Sequence, residues 1–125
     1  MNSVKNVVLV HGAWADGSSY AKVIPLLEAA GLHVIAVQNP LTSLNDDVAT
    51  THRAINAQDG PVLLVGHSYG GAIITVAGDN PKVSGLMYIA AFAPDAGETL
   101  AGMAQPYGAT PAFGNIQPID DGFLL

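Results

Sequence analysis

Ser68 stands between Gly66 and Gly70 in the pentapeptide GHSYG, directly after the apolar run PVLLV (61–65) and directly before GAIITVAG. A serine hydroxyl attacks a carbonyl carbon when a base takes its proton and when nearby N–H groups receive the negative charge building on the carbonyl oxygen. G-x-S-x-G between a buried strand and a helix is the sharp, strained turn that lifts a serine side chain clear of the backbone. Its glycines stand where side chains would collide with the strand and helix packed around it. The helix that follows aims its first N–H groups and the positive end of its dipole at an oxyanion beside Ser68. A plain turn serine is the other reading. It fits less well, because the preceding strand, the following helix and the next glycine, Gly71, all agree with an elbow.

A second stretch carries the complementary chemistry. HGAW (11–14) leaves the end of the first apolar run, VVLV (7–10). In a parallel sheet ordered 2-1-3-4, that end lies beside the strand leading into Ser68. Gly12 lets the chain turn sharply there, so the N–H of Ala13 can point into the same space as the N–H of Tyr69. Two backbone donors converging near a serine make an oxyanion hole. Trp14, Tyr20 and Tyr69 flank the loops above Ser68 and are candidates for the walls of a substrate pocket or for packing beneath a cap.

The elements that must position these residues are legible as alternation. Apolar runs of strand length recur at VVLV (7–10), HVIAV (33–37), PVLLV (61–65) and GLMYIAAFA (85–93), without polar alternation, as strands covered on both faces of a parallel sheet do. Between them lie three helical stretches, SSYAKVIPLLEAAG, SLNDDVATTHRAINAQDG and YGGAIITVAG. Gly31 marks the end of the first, and Ser43 with Asp46 resembles a capping box at the start of the second. The expected fold class is therefore α/β, a parallel sheet in the order 2-1-3-4 flanked by helices. Residues 1–93 form its core. After Pro94 the texture changes to Gly, Pro, Ala and Thr without a sustained period, and residues 94–125 are expected to begin a cap or lid.

Composition removes several functions. Four Lys and Arg against ten Asp and Glu give a net charge of -6, so no basic cluster exists to neutralise a phosphate backbone, and nucleic acid is not an expected partner. The absence of cysteine excludes disulfides and thiol chemistry. No segment approaches the length of a membrane span, and no signal-peptide core is visible; a cytoplasmic location is expected and a membrane is not an expected partner. No metal cluster or phosphate loop is visible, and acyl transfer through a serine needs no cofactor.

VVLVHGAWADGSSYAKVIPLLEAAGLHVIAVQ, PVLLVGHSYGGAIITVAG and MYIAAFAPDAGE together resemble the N-terminal half of an α/β hydrolase, over about residues 4 to 98. The branch they are most similar to is that of the small serine esterases related to plant methyl esterases and hydroxynitrile lyases. The resemblance implies hydrolysis of a small-molecule carboxylic ester through an acyl-enzyme on Ser68, with Ala13 and Tyr69 as the oxyanion donors. It also implies that His11 and Gly12 support the oxyanion loop. Hydroxynitrile lyases of this kind carry a threonine where this chain has Gly12, which argues for hydrolysis. Dehalogenases and epoxide hydrolases of the fold carry an aspartate at the position of Ser68.

The base is the gap. In the family the order along the chain is serine, acid, histidine, yet all four histidines of this sequence, His11, His33, His52 and His67, lie at or before position 67. His33 opens the second strand at the far end of the sheet, His52 sits mid-helix on the outside, and an elbow turns His67 away from its neighbour. His11 ends the strand beside the elbow and is the one serious substitute base, against its implied role as a brace. Asp95 follows the fourth strand, where some enzymes of the fold take their acid; Asp79, Asp120 and Asp121 have no such argument. The family's domain runs to about twice this length, with the acid and histidine in the later half. The chain is therefore expected to be the nucleophile-bearing half of an esterase, inert alone, whose partners are a complementary C-terminal half or further copies of itself. The alternative is a non-catalytic module of the same fold that binds a small apolar ligand or a partner chain.

Overall fold

Val8 and Val10 point to one face of strand β1 (Asn6–Val10) while Val7 and Leu9 point to the other, and each pair enters a separate apolar cluster. That two-sided burial is why the run carries no polar alternation. In the computed structural model, which describes residues 3–119, β1 is the second of four parallel strands. β2 (His33–Ala36), β3 (Val62–His67) and β4 (Val83–Ile89) complete a sheet in the order β2-β1-β3-β4. Its backbone divides into two compact units, Met1–Ala93 and Pro94–Leu125.

In the first unit, helices α2 (Leu44–Asn56) and α3 (Gly70–Ala77) cover one face of the sheet, closing over Val8, Val10, Val62 and Leu64 with Val48, Ile55, Ile73 and Ile74. The other face is covered by a 3-10 turn, Gly17–Tyr20, and the short helix α1 (Ile24–Ala29), whose Tyr20, Ile24 and Leu27 meet Val7, Leu9 and Val65. β4 is the edge strand of this described sheet, and its Leu86, Met87, Tyr88 and Ile89 remain exposed.

Three local expectations change. The stretch expected as one helix from Ser18 to Gly31 is broken: Asp16 caps the 3-10 turn through the Ser18 N–H, and Pro25 starts α1 afresh because its ring fixes φ and offers no N–H. α1 then ends as expected at Gly31, φ 85°, with the Gly31 and Leu32 N–H groups donating to Glu28 and Leu27. Only half of the capping box forms, since Ser43 Oγ accepts the Asp46 N–H at 3.0 Å while the Asp46 carboxylate takes the Thr42 hydroxyl at 2.7 Å. The fourth strand begins at Val83 and stops at Ile89, short of Ala93, because Ala90 turns the chain with φ 42°.

The second unit contains helix α4 (Leu100–Ala104), capped by the Thr99 hydroxyl, and two 3-10 turns, Gln105–Tyr107 and Pro111–Asn115. Asp120 and Asp121 lie outside the described residues, as does the end of the segment expected to form a lid. Among the described residues no helix is long and apolar enough to cross a membrane.

Leu64 is fully buried at the middle of β3 under α2 and α3, whereas Leu26 is 70% exposed. Leu64→Ala should lower unfolding free energy by about 2–5 kcal/mol and Leu26→Ala by about 0.5 kcal/mol or less, read from urea midpoints.

Candidate active site

The parallel register pairs Val10 with Gly66, so the loop after β1 and the turn after β3 leave the sheet side by side at its carboxyl edge. Glycines permit the closeness. A Cβ on Gly70 would stand 2.5 Å from the Val10 carbonyl oxygen, one on Gly66 would stand 2.7 Å from that of Gly70, and one on Gly71 would fall on the Phe92 carbonyl. The turn is strained as well, for Ser68 holds φ 53° and α3 starts two residues later. Its carbonyl accepts the Gly71 and Phe92 N–H groups at 3.0 and 3.1 Å, which hold the turn between helix and chain beyond β4.

Gly12 lies against this serine: a Cβ there would stand 3.0 Å from Ser68 Cβ and 3.5 Å from Ser68 Oγ. The next two residues carry the loop outward, Ala13 half-buried and Trp14 54% exposed in a left-handed conformation at φ 57°. Neither the Ala13 N–H nor the Tyr69 N–H donates a hydrogen bond within the described residues. The described non-glycine residues with positive φ are Trp14, Leu41, Ser68 and Ala90, and each closely follows the carboxyl end of a different strand. Strain therefore gathers at the edge of the sheet where open α/β folds hold their ligands.

His11 is fully buried, and both ring nitrogens are engaged. Its Nε2 accepts the Asn39 N–H at 3.0 Å, which fixes the proton on Nδ1, and Nδ1 donates to the Gly12 carbonyl at 2.8 Å. The Gly12 carbonyl and the Ala13 N–H belong to one planar trans peptide and point in opposite directions, so the imidazole sets the direction of that N–H. The other histidines are elsewhere. His33 Nδ1 meets Gln58 Oε1 at 2.9 Å at the amino end of the sheet; His52 meets Asn80 at 3.2 Å and Asp79 at 3.7 Å; His67 is exposed at the end of β3. Within the described residues no hydrogen bond reaches Ser68 Oγ. Asp95 lies in the second unit, where its N–H donates to Glu98 at 2.7 Å.

Tyr20 departs from the expectation of a pocket wall. Its ring is buried in the α1 face, and its hydroxyl donates to the Val10 carbonyl at 2.9 Å, tying the Gly17–Tyr20 turn to the end of β1. Tyr69 is half-buried and its hydroxyl donates to Asp47 Oδ2 at 2.6 Å. Burial first, then the Asp47 carboxyl, pushes the Tyr69 phenol up from its ordinary value and keeps it a donor. Asp47 itself went unnoticed in the sequence, where only its neighbour Asp46 was singled out, as part of a capping box with Ser43. The signal available was its place with Val48, Thr51 and Ile55 on the apolar stripe.

Burial pushes the Tyr20 phenol up from 10.0 to about 12. Below pH 10 it is neutral in both the folded and unfolded chain; between 10 and about 12 the unfolded chain loses a proton that the folded chain keeps, so stability falls across that window. Tyr20→Phe should make the fall shallower, measured by urea unfolding from pH 9 to 12. At neutral pH the same variant should lose about 1–3 kcal/mol, the cost of leaving the Val10 carbonyl without its donor.

Comparison with known proteins agrees with this geometry. The sequence model of the "Alpha/beta hydrolase family" matches residues 7–124. A carbendazim-hydrolysing esterase of Nocardioides sp. (strain SG-4G) is 35% identical over 109 residues, covering 76% of this chain and 45% of that protein. Salicylic acid-binding protein 2 of Nicotiana tabacum is 34% identical over 128 residues, covering 90% and 49%. The crystal structure of a pyrethroid hydrolase from Sphingobium faniae JZ-2 superposes with a TM-score of 0.79 at 30% identity, over 96% of this chain and 54% of that one. The chain spans about half the length of the curated relatives it matches. A family match across nearly the whole sequence, joined to a parallel 2-1-3-4 sheet with a strained serine at the β3–α3 elbow, places the chain in the alpha/beta hydrolase family.

Proposed function

We propose that this protein is a carboxylic ester hydrolase in which Ser68 is the nucleophile and the N–H groups of Ala13 and Tyr69 form the oxyanion hole. The observation that carries the reading is Ser68 at φ 53° with its side chain against the Gly12 backbone and two unengaged N–H groups in the flanking loops. Ser68 Oγ attacks the ester carbonyl and gives its proton to a base, and the carbonyl oxygen takes the negative charge opposite the two donors. Collapse breaks the bond to the alcohol oxygen, which leaves with that proton. Water, deprotonated by the same base, then attacks the acyl-enzyme and releases the acid and Ser68. Trp14, exposed beyond Ala13, is a wall for the acyl or alcohol group. Relatives named as an esterase and a pyrethroid hydrolase support an ester as the bond broken.

In this reading the base is none of the four histidines: His11 has both nitrogens engaged, His33 and His52 are bonded to Gln58 and Asn80, and His67 is exposed with no hydrogen bond to Ser68 among the described residues. In our reading a complementary segment, carrying a histidine and an acid, supplies it at the carboxyl edge. The same observation favours a second reading, a module of this fold that binds a small apolar ligand or a partner chain without chemistry.

A short-chain aryl ester separates the two. The 125-residue chain alone should accelerate hydrolysis by no more than about 10³–10⁴ over water, the share left to an oxyanion hole and binding. Joined to the C-terminal half of a relative, chosen to carry an Asp and a His, it should hydrolyse the ester at an enzyme's rate, and Ser68→Ala should abolish that gain. No gain on joining favours the binding module. Turnover by the chain alone at a normal enzyme rate, removed by His11→Ala, would make His11 the base and overturn our assignment.

A further inference from the structure

Two hydrogen-bonded arms, one from the Gly12–Ala13 peptide and one from the Tyr69 side chain, run to one three-residue segment, Asn39 to Leu41, in the loop after β2. The first starts at the Gly12–Ala13 peptide, passes through the His11 ring and ends on the Asn39 N–H. The second starts at Tyr69, whose hydroxyl donates to Asp47 Oδ2 at 2.6 Å, and ends on the Leu41 N–H, which donates to Asp47 Oδ1 at 2.8 Å. Asp47 and His11 are both fully buried, and Leu41 holds φ 58°. We infer that Asp47 is a positioning residue for the oxyanion hole: by clamping Tyr69 on one oxygen and the Asn39–Leu41 segment on the other, it sets the directions of the Tyr69 and Ala13 N–H groups together.

The geometry favours a positioning role over mere stabilisation of α2. A carboxyl group at the start of a helix serves that helix by accepting its own first N–H groups, and here Ser43 does that work at the Asp46 N–H. Asp47 instead turns inward, into an apolar stripe, where a polar group is costly unless its partners are complete. Those partners come from two loops of the carboxyl edge. Pro40, between Asn39 and Leu41, stiffens the segment, so a displacement at Leu41 is passed to Asn39. Tyr69 adjoins Ser68, and Ala13 adjoins Gly12, whose Cβ position is 3.0 Å from Ser68 Cβ. The inference rests on the oxyanion assignment proposed above.

The test reads the donors directly, in the 1H–15N spectrum of the chain. Asp47→Ala should shift the Ala13 and Tyr69 amide signals together, Tyr69→Phe should shift the Tyr69 signal while Ala13 moves little, and Asp47→Asn, which can still accept from Leu41 and donate to the phenol oxygen, should bring both signals back toward the wild-type positions. An Ala13 signal unmoved in a folded Asp47→Ala chain would overturn the inference. Should Asp47→Ala not fold, native-state hydrogen exchange of the unaltered chain decides the same point: the Asn39 and Leu41 amides should open in a single event, and independent opening would overturn it. In the joined enzyme Tyr69→Phe should lower kcat about tenfold or more with KM within about twofold, as expected when an oxyanion donor is misdirected. Unchanged kcat there, beside a dead Ser68→Ala variant, would sink the positioning role and spare the nucleophile; unchanged activity in Ser68→Ala would sink the nucleophile itself.

Discussion

The site depends on how closely the amino end of α3 approaches the carboxyl ends of β1 and β3. With a Cβ on Gly70 standing 2.5 Å from the Val10 carbonyl and one on Gly66 standing 2.7 Å from the Gly70 carbonyl, no side chain larger than hydrogen fits at either place. That contact forces β3 to turn into helix within two residues and leaves Ser68 in a left-handed conformation worth about 1–3 kcal/mol of strain. The strain persists because the fully buried Val8, Val10, Leu64, Ile73 and Ile74 hold strand and helix in place from beneath. The core is thus the reservoir against which the turn is bent.

Burying a polar group around such a turn costs free energy unless it is hydrogen-bonded, and this bears on which groups can do chemistry. His11, fully buried, has a donor on one nitrogen and an acceptor on the other, so its two hydrogen bonds fix which nitrogen carries the proton. Taking a proton from Ser68 would mean giving up the Asn39 N–H, an unpaired buried donor, for a charged ring in an apolar setting. Both of its ring nitrogens are thus taken up in holding the Gly12 and Asn39 backbone. The Ala13 and Tyr69 N–H groups, and Ser68 Oγ, are the opposite case, engaged by nothing within the described residues.

The sequence carried what depends on short-range pattern and backbone space. The alternation of apolar runs with helical stretches pointed to four parallel strands, and the glycines at 66, 70 and 71 marked the elbow because only close approach explains them. What depends on long-range partners was hidden. Asp47 is separated from Tyr69 by 22 residues and from any helix-cap duty by its orientation, so its identity as an acid told nothing of its burial. Tyr20 looked like a free aromatic near a loop until Val10, ten residues away, claimed its hydroxyl. The early end of β4 was equally silent, for alanine at position 90 gives no sign of a positive φ.

These dependencies separate the building of the serine turn from the supply of the base that the proposed reaction needs. What shapes the serine turn and its two flanking N–H groups comes from β1, β2, β3, α2, α3, the loops joining them and Phe92 beyond β4, all inside the Met1–Ala93 unit. Their mutual packing and hydrogen bonds do not involve a proton acceptor for Ser68, so the turn can be strained and its donors aimed before any base is at hand. A histidine brought in by another element would then meet a hydroxyl already in place, and would need only to be delivered to the carboxyl edge within hydrogen-bond reach. Aligning a base is in that sense a docking problem, whereas building the elbow is a folding problem, and this chain's residues address the second.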